Sequence, residues 1–229
     1  MDKYKEQWND RMAVTEDNTN SKALIIRDKS NLDEDLNLAK ISLKKSEELN
    51  NLDSMAIDYN NIGQILKEKG ELDQALDYAK KALEIHTRLN NKTGMAIEFN
   101  NIGTIMLSKG NLDQALDYAK KALEIHTELD DKIRMAVTYN NIGQMYQDKG
   151  ELDQALDYAK LALTIDEKSK DMFQVALDYF NLASICNLKQ NNEEELFYLK
   201  KIKQLLDKVP EYSKMEYIIK RINELENKA

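Results

Sequence analysis

Residues 55–63 read Met-Ala-Ile-Asp-Tyr-Asn-Asn-Ile-Gly, and nearly the same nine residues return at 95–103 and at 135–143. The copies are 40 residues apart, and 28 of the 40 positions are identical between 55–94 and 95–134. A fourth copy at 175–183 has diverged but stays in register, reading Val-Ala-Leu-Asp-Tyr-Phe-Asn-Leu-Ala. Self-similarity at a fixed period of this length indicates a stack of repeated structural units.

Each unit contains two amphipathic segments. In the first segment, apolar residues recur at intervals of three or four, as on the buried side of a helix: Ala56, Tyr59, Ile62, Ile65 and Leu66. We expect this helix to run from Met55 to about Lys69, with Gly70 at its end, and a second helix from about Leu72 to Leu89. Glycine also recurs inside the first helices, where close approach of a neighbouring helix explains it: Gly63, Gly103 and Gly143.

The repeat boundaries divide the whole chain. We predict an N-terminal helix with a degenerate first helix (1–30), the second helix of that degenerate repeat (31–54), regular repeats at 55–94, 95–134 and 135–174, a diverged repeat at 175–214 and a capping helix at 215–229. The capping helix is predicted from one apolar stripe: Met215, Ile218, Ile219, Ile222 and Leu225. Residues 1–14, with Trp8, are expected to form a short helix at the other end, where a dimer contact or a junction to further sequence are the alternatives.

Composition narrows the class of protein. The chain has 229 residues, of which 42% are hydrophobic and 32% charged, and its 1 Pro and 7 Gly are too few for the many turns of an all-β fold. The net charge of −8 disfavours binding to nucleic acid or to an anionic membrane surface. We find no apolar run long enough to span a bilayer and no apolar signal-peptide core, so we expect a cytoplasmic protein.

The pattern resembles the tetratricopeptide repeat (TPR). Counting Ala56 as position 1, that family expects an aromatic residue at position 4, an aliphatic one at 7, a small one at 8 and Ala at 20 and 27. All three regular repeats meet these five expectations. They depart at position 24, which is Ala, and at position 32, where Thr87, Thr127 and Glu167 stand in place of the usual Pro.

Without that Pro the second helix continues further, which gives a unit of 40 residues. This longer unit is similar to the repeats of kinesin light chains, of the spindle-orientation regulators with Leu-Gly-Asn repeats and of the Rap-type bacterial regulators. The resemblance implies an all-α fold, a right-handed α-α superhelix (a TPR solenoid) of about four to five helix pairs plus a capping helix.

The resemblance also implies that the first helices line a concave groove, with positions 2, 5, 6, 9 and 12 facing it. Positions 5, 6 and 9 carry mostly amides, which can pair with a peptide main chain because each amide is both donor and acceptor. Asn is a poor helix former, so the Asn-Asn pairs cost stability without an evident structural return. We predict that ten residues bind a peptide: Asn60, Asn61, Gln64, Asn100, Asn101, Thr104, Asn140, Asn141, Gln144 and Asn181.

The amides have a structural alternative, because Asn61, Asn101 and Asn141 could bond to neighbouring helices or persist as copies of a recent duplication.

The function predicted is a non-catalytic scaffold that binds an extended segment of another protein. A peptide-sensing regulatory module and a self-assembling homo-oligomer are the alternatives. Acidity disfavours an RNA-reading repeat. The resemblance also allows a chaperone-tail adaptor, which binds a C-terminal carboxylate through Lys and Arg in the groove. That function is disfavoured because positions 2, 5, 6 and 9 carry no basic residue, and Lys67 at position 12 is the nearest one.

Residues that could suggest chemistry have simpler interpretations. His86 and His126 lie one repeat apart, with Asp166 at the same place in the third repeat, which is too far for a shared metal. Cys186 falls at an apolar position, and Asp73 and Asp77 lie on the polar side of a second helix. We find no phosphate-binding loop or nucleophile motif. We therefore predict no enzyme, no cofactor and no metal.

Overall fold

The computed structural model describes residues 31–169, 171–206 and 216–227, and the regular structure of these residues is α-helical throughout. The all-α class is therefore confirmed. Three of our predictions fall outside the described residues, namely the N-terminal helix with Trp8, the degenerate first helix within 1–30 and the place of Met215 in the capping stripe. In chain order the helices are α1 Leu32–Glu48, α2 Leu52–Glu68, α3 Leu72–Arg88, α4 Lys92–Ser108, α5 Leu112–Glu128, α6 Lys132–Asp148, α7 Leu152–Ser169, α8 Met172–Leu188, α9 Asn192–Leu206 and α10 Glu216–Glu226.

The described residues fall into two compact units, one made of 31–149 and the other of those from Gly150 onward. In the first unit, α1 to α6, each helix packs against the next in the chain. In the second unit, α7 packs on α8, α8 on α9 and α9 on α10. Short connections make successive helices neighbours, as in helical repeat proteins. Each unit is therefore a stack of helix pairs of the predicted TPR kind.

The first helices begin three residues earlier than the apolar pattern predicts. α2 starts at Leu52 because the Asn51 side chain accepts a hydrogen bond of 3.1 Å from the Ser54 N–H, which satisfies a donor that the helix start leaves open. The preceding residue, Asn50, has φ of 48° and ends α1 in the left-handed conformation. One Asn-Asn pair thus ends one helix and caps the next, and the pair at 90–91 does the same.

Both sets of recurrent glycines have the predicted roles. Gly70 has φ of +81°, and its conformation lets Glu71 N–H donate to the Leu66 carbonyl at 2.9 Å, so the end of α2 is closed. At Gly63, a Cβ atom would lie 3.3 Å from the Ala75 carbonyl oxygen and 3.6 Å from the Ala79 nitrogen. This close approach of α2 to α3 also explains the Ala at position 24, because a bulky residue would hold the helices apart.

The last helix covers the end of the second unit. Ile218, Ile222 and Leu225 of α10 are buried, whereas Ile219, which we predict in the same stripe, is 37% exposed. Arg221 donates to both carboxylate oxygens of the buried Glu195 on α9, at 2.6 and 2.9 Å. The helix is therefore held by a three-residue apolar face and a bidentate ion pair.

Candidate peptide-binding surface

Three first helices of the first unit share one pattern of exposed side chains. On α2, Ile57, Asn61, Gln64 and Glu68 are separated by four, three and four residues, so they lie on one face of the helix. All four side chains are exposed or half-exposed. The equivalent residues form the same stripe on α4 and α6: Ile97, Asn101, Thr104, Ser108, Val137, Asn141, Gln144 and Asp148. These twelve side chains are called the groove surface below.

The Asn at position 5 of each repeat lies beside this stripe and contacts the next first helix. Asn60 on α2 donates a hydrogen bond of 2.6 Å to Oε1 of Glu98 on α4. The amide nitrogen Nδ2 of Asn100 on α4 donates to Oγ1 of Thr138 on α6 at 3.3 Å and lies 3.4 Å from Nε2 of His126 on α5. These two amides stabilise the contact between neighbouring helices, and Asn140 is half-buried at the same place on α6.

The Asn at position 6 points away from this contact. Asn61 is exposed and Asn141 half-exposed, and within the described part of the chain neither amide has a hydrogen-bond partner. Asn101 donates to Oε2 of Glu98 at 3.3 Å, which orients its amide nitrogen toward the helix. The alternative that these residues bond to neighbouring helices therefore has no support at Asn61 or Asn141. It describes the position-5 residues instead.

The remaining predicted residues are the third row of the groove surface and one residue of α8. Gln64 is half-exposed, Thr104 donates to the Asn101 carbonyl at 2.9 Å, and Gln144 donates to Asp148 at 2.9 Å. Asn181 is half-exposed on α8, which belongs to the second unit, and Phe180 precedes it at position 5. The structure thus places nine of the ten predicted residues on three helices of one unit.

Glu98 is a buried acid at the base of the groove surface that the sequence did not single out. Its side chain is fully buried, and burial raises the pKa of its carboxyl group to about 7. The hydrogen bonds from Asn101 and Asn60 lower this pKa, but their effect is smaller than that of burial. Together with Lys67 and other side chains it lines a cavity of about 10 Å³, the size of one water molecule. A signal was present, because position 3 is polar in every unit although it lies on the buried side: Asp58, Glu98, Thr138 and Asp178.

The two histidines have structural surroundings. His126 is fully buried next to Asn100, and burial lowers the pKa of its imidazole. His86 packs on the start of α4, where a Cβ atom at Gly94 would lie 2.3 Å from its Nδ1. Cys186 is fully buried, and burial raises its thiol pKa to about 12. Within the described residues, no three His, Cys, Asp or Glu side chains are grouped as a metal site would require.

The fold and its 40-residue repeat agree with the comparison to known families. The sequence model of the tetratricopeptide repeat matches residues 53–128, 94–168 and 134–208, which together make up more than half of the chain. The protein belongs to the tetratricopeptide repeat family, as its sequence pattern predicted. No curated protein sequence matches the chain. Among the described helices, none has the length and apolar character needed to cross a bilayer.

Solved structures of two kinds of TPR protein are similar. RapI is 24% identical with a TM-score of 0.70, over 80% of this chain and 52% of that one. The Rap protein solved with Competence and Sporulation Factor is 16% identical with a TM-score of 0.60, over 84% and 58%. A kinesin light chain-like protein from Podosopora anserina, with nearly identical TPR-like repeats, is 11% identical with a TM-score of 0.59, over 80% and 98%. At these identities the likeness establishes the fold, and the chain spans about half of either Rap protein.

Proposed function

We propose that this protein is a non-catalytic scaffold that binds an extended segment of another protein on its groove surface. The observation that carries the proposal is the row of amides at Asn61, Asn101 and Asn141, of which the first and last have no partner in the described chain. An extended peptide presents unpaired N–H and C=O groups, and a carboxamide can pair with both. Our proposal keeps Asn61, Asn101 and Asn141 as the main contacts, with Gln64, Thr104 and Gln144 beside them.

The division of labour within each Asn-Asn pair supports this assignment. Asn60 and Asn100 offset their poor helix propensity through hydrogen bonds between helices. Within the described residues Asn61 and Asn141 have no such hydrogen bond, so a ligand is the simplest reason for an amide there. Asn181 remains a predicted contact of the second unit. A cytoplasmic location likewise remains a prediction.

A peptide-sensing regulator is the second candidate. The likeness to a Rap protein that was solved in complex with Competence and Sporulation Factor favours it, because a protein with a similar fold there forms a complex with that factor. The two candidates share the groove surface and differ in what binding does. In a scaffold, the helices keep their arrangement when the peptide binds, whereas in a sensor the radius of gyration in solution scattering changes on binding.

The test compares two sets of amide deletions in a selection from a random peptide library. Asn61→Ala, Asn101→Ala and Asn141→Ala are combined in one variant. The matched control removes two amides from the second helices instead, Gln74→Ala and Gln114→Ala, both of which are exposed. Loss of three hydrogen bonds to the ligand, at about 1 kcal/mol each, predicts about 100-fold weaker binding of the selected peptides by the groove variant.

The control should bind like the wild type, and circular dichroism should show equal helix content in all three proteins. If the groove variant binds the selected peptides as tightly as the wild type, the site is elsewhere. If the wild type selects nothing, the proposed function is wrong and self-assembly becomes the leading candidate, which light scattering would then show.

A further inference from the structure

The groove surface contains an aliphatic row beside the Asn row. Ile57, Ile97 and Val137 each precede the Asn of their helix by four residues, which is about 6 Å along a helix axis. Ile57 is 58% exposed, and the other two are half-exposed. A ligand that crosses the three helices can therefore place side chains on the aliphatic row while its main chain passes over the amides.

The spacing of the helices selects the conformation of that ligand. α2 contacts α4 through Asn60 and Glu98, and packed helices lie about 8–10 Å apart. A polyproline II helix advances about 9.3 Å per turn of three residues, so every third side chain meets an equivalent row member. A β-strand advances about 10 Å in three residues, but its third side chain points to the opposite face. Only the polyproline II form satisfies both spacing and direction.

The main chain of a polyproline II helix also suits an amide row. It forms no internal hydrogen bonds, so its N–H and C=O groups remain available to other partners. Asn101 donates its amide N–H to Glu98, which leaves its Oδ1 to accept from a ligand N–H. A β-hairpin or a helix would present main-chain groups that are already paired.

Charge specifies the rest of the ligand. The aliphatic, Asn and Gln/Thr rows of the groove surface carry no charge, so a ligand charge buried there would lose hydration without a counter-charge. The fourth row is acidic at two of its three places, with exposed Glu68 and Asp148 flanking Ser108. Glu68 and Asp148 are two repeats apart, which corresponds to six residues of a polyproline II ligand.

We infer that the bound segment is a polyproline II peptide with an aliphatic residue at every third position and Lys or Arg between them, set to face Glu68 and Asp148. This inference rests on the proposed function, since it names the ligand of the same surface. It specifies a period of three residues, one turn of ligand per repeat of the protein.

The experiment uses four peptides of about nine residues in a Pro- and Gln-rich background that favours polyproline II. The first has Ile or Val at every third position with two Lys six residues apart. The second has the same composition with the aliphatic residues at every second position. The third replaces Lys by Glu, and the fourth scrambles the sequence. Binding to the full chain is measured by fluorescence anisotropy, for the wild type, for a variant with Ile57→Ser, Ile97→Ser and Val137→Ser, and for the Gln74→Ala, Gln114→Ala control.

We expect the period-three peptide to bind at least tenfold more tightly than the other three. The serine variant should lose that advantage, while the control keeps it. If the period-two peptide binds as well, or if the period-three peptide does not bind, the inference is wrong. The proposed function is tested separately by the library selection, since it survives if selected peptides of another period lose affinity in the triple Asn→Ala variant. It fails if no peptide does.

Discussion

The regular repeats of the first unit and the diverged repeat of the second differ in the residue at position 5, where neighbouring helices meet. They agree in the exposed ion pairs between successive repeats, which are called the outer edge below. Position 5 is Asn60 or Asn100 in the first unit, where each amide bonds to the next first helix, and Phe180 in the second. At the exposed outer edge, one Lys–Asp pair joins each repeat to the repeat before it: Lys69–Asp33, Lys109–Asp73, Lys149–Asp113 and Lys189–Asp153. The same backbone therefore accepts different chemistry at the contact between helices.

Buried polar groups show the same contrast. In the first unit, Glu98 is held by two amide donors. In the second, Asp166 lies beside Asp178, and burial raises the pKa of Asp166. Further along that unit, Glu195 is buried but paired with an arginine. How each unit compensates a buried acid is thus a measurable difference between them.

The largest effect is expected at Glu195 in the second unit. Arg221→Ala removes both hydrogen bonds at 2.6 and 2.9 Å and leaves a buried carboxylate whose remaining side-chain donor among the described residues is Asn187. The expected loss is about 3–5 kcal/mol of unfolding free energy, measured by urea denaturation. Glu195→Gln in the same chain should recover much of it, because the unpaired charge is then gone.

The exposed pair Lys200–Glu226 joins the same two helices at 2.6 Å and supplies the control. Lys200→Ala should change stability little, since surface ion pairs contribute little. Equal losses from Arg221→Ala and Lys200→Ala would mean that burial of Glu195 does not govern the attachment of α10.

The second prediction concerns Glu98 in the first unit. Because its folded pKa is about 7 and the ordinary value is 4.5, the native state binds more protons than the unfolded state between these values. Stability from this group is therefore greatest below pH 4.5 and falls as the pH rises to about 7. Glu98→Gln should stabilise the protein by about 3 kcal/mol at pH 8 and hardly at all at pH 4.

Urea denaturation at both pH values measures this difference, with exposed Glu124→Gln on α5 as the matched control. The control should behave alike at pH 4 and pH 8. A Glu98→Gln variant that is no more stable than the wild type at pH 8 would contradict the assignment of a destabilising buried carboxylate.

The third prediction uses the two histidines of nearly identical repeats. His86 packs where Gly94 has no side chain, whereas the residue equivalent to Gly94 in the next repeat is Arg134. Ala is ordinarily better than Gly inside a helix. Gly94→Ala should nevertheless cost about 1–2 kcal/mol, because its Cβ would lie 2.3 Å from the His86 ring.

In a His86→Ala background the same Gly94→Ala change should become stabilising, by up to about 1 kcal/mol. Thermal unfolding of the four proteins of this double-mutant cycle measures the reversal. If Gly94→Ala has the same sign with and without His86, the imidazole does not determine the need for glycine.

The fold could be predicted from the sequence because the same apolar spacing and the same glycine positions recur in each regular 40-residue unit. The glycines at Gly63 and Gly70 were predicted from their recurrence, and each has the geometry expected, a close approach at one and a positive φ at the other. The predicted starts of the first helices are three residues too late, because the Asn51 side chain caps its helix before the apolar pattern begins.

The site was harder to predict because a helix position does not reveal what its side chain contacts. Asn60 and Asn61 are adjacent and identical, yet one bonds across to α4 and the other is exposed. The distinction depends on Glu98, which is 38 residues from Asn60 in the chain. Exposure of the aliphatic row likewise depends on packing.

The smallest effects are expected at the outer-edge ion pairs, which test whether the two units are alike there. Lys109→Met in the first unit and Lys189→Met in the second each remove one pair with an exposed Asp. Each should lower the melting temperature by about 1–2 °C in low salt and by less in high salt. Lys189 lowers the pKa of Asp153, so its contribution is present above the ordinary value of 3.8 and is lost as the pH falls through the lowered one. The Lys189→Met difference should therefore vanish at strongly acid pH. Unequal shifts for the two variants would show that the outer edge, like the helix contacts, differs between the units.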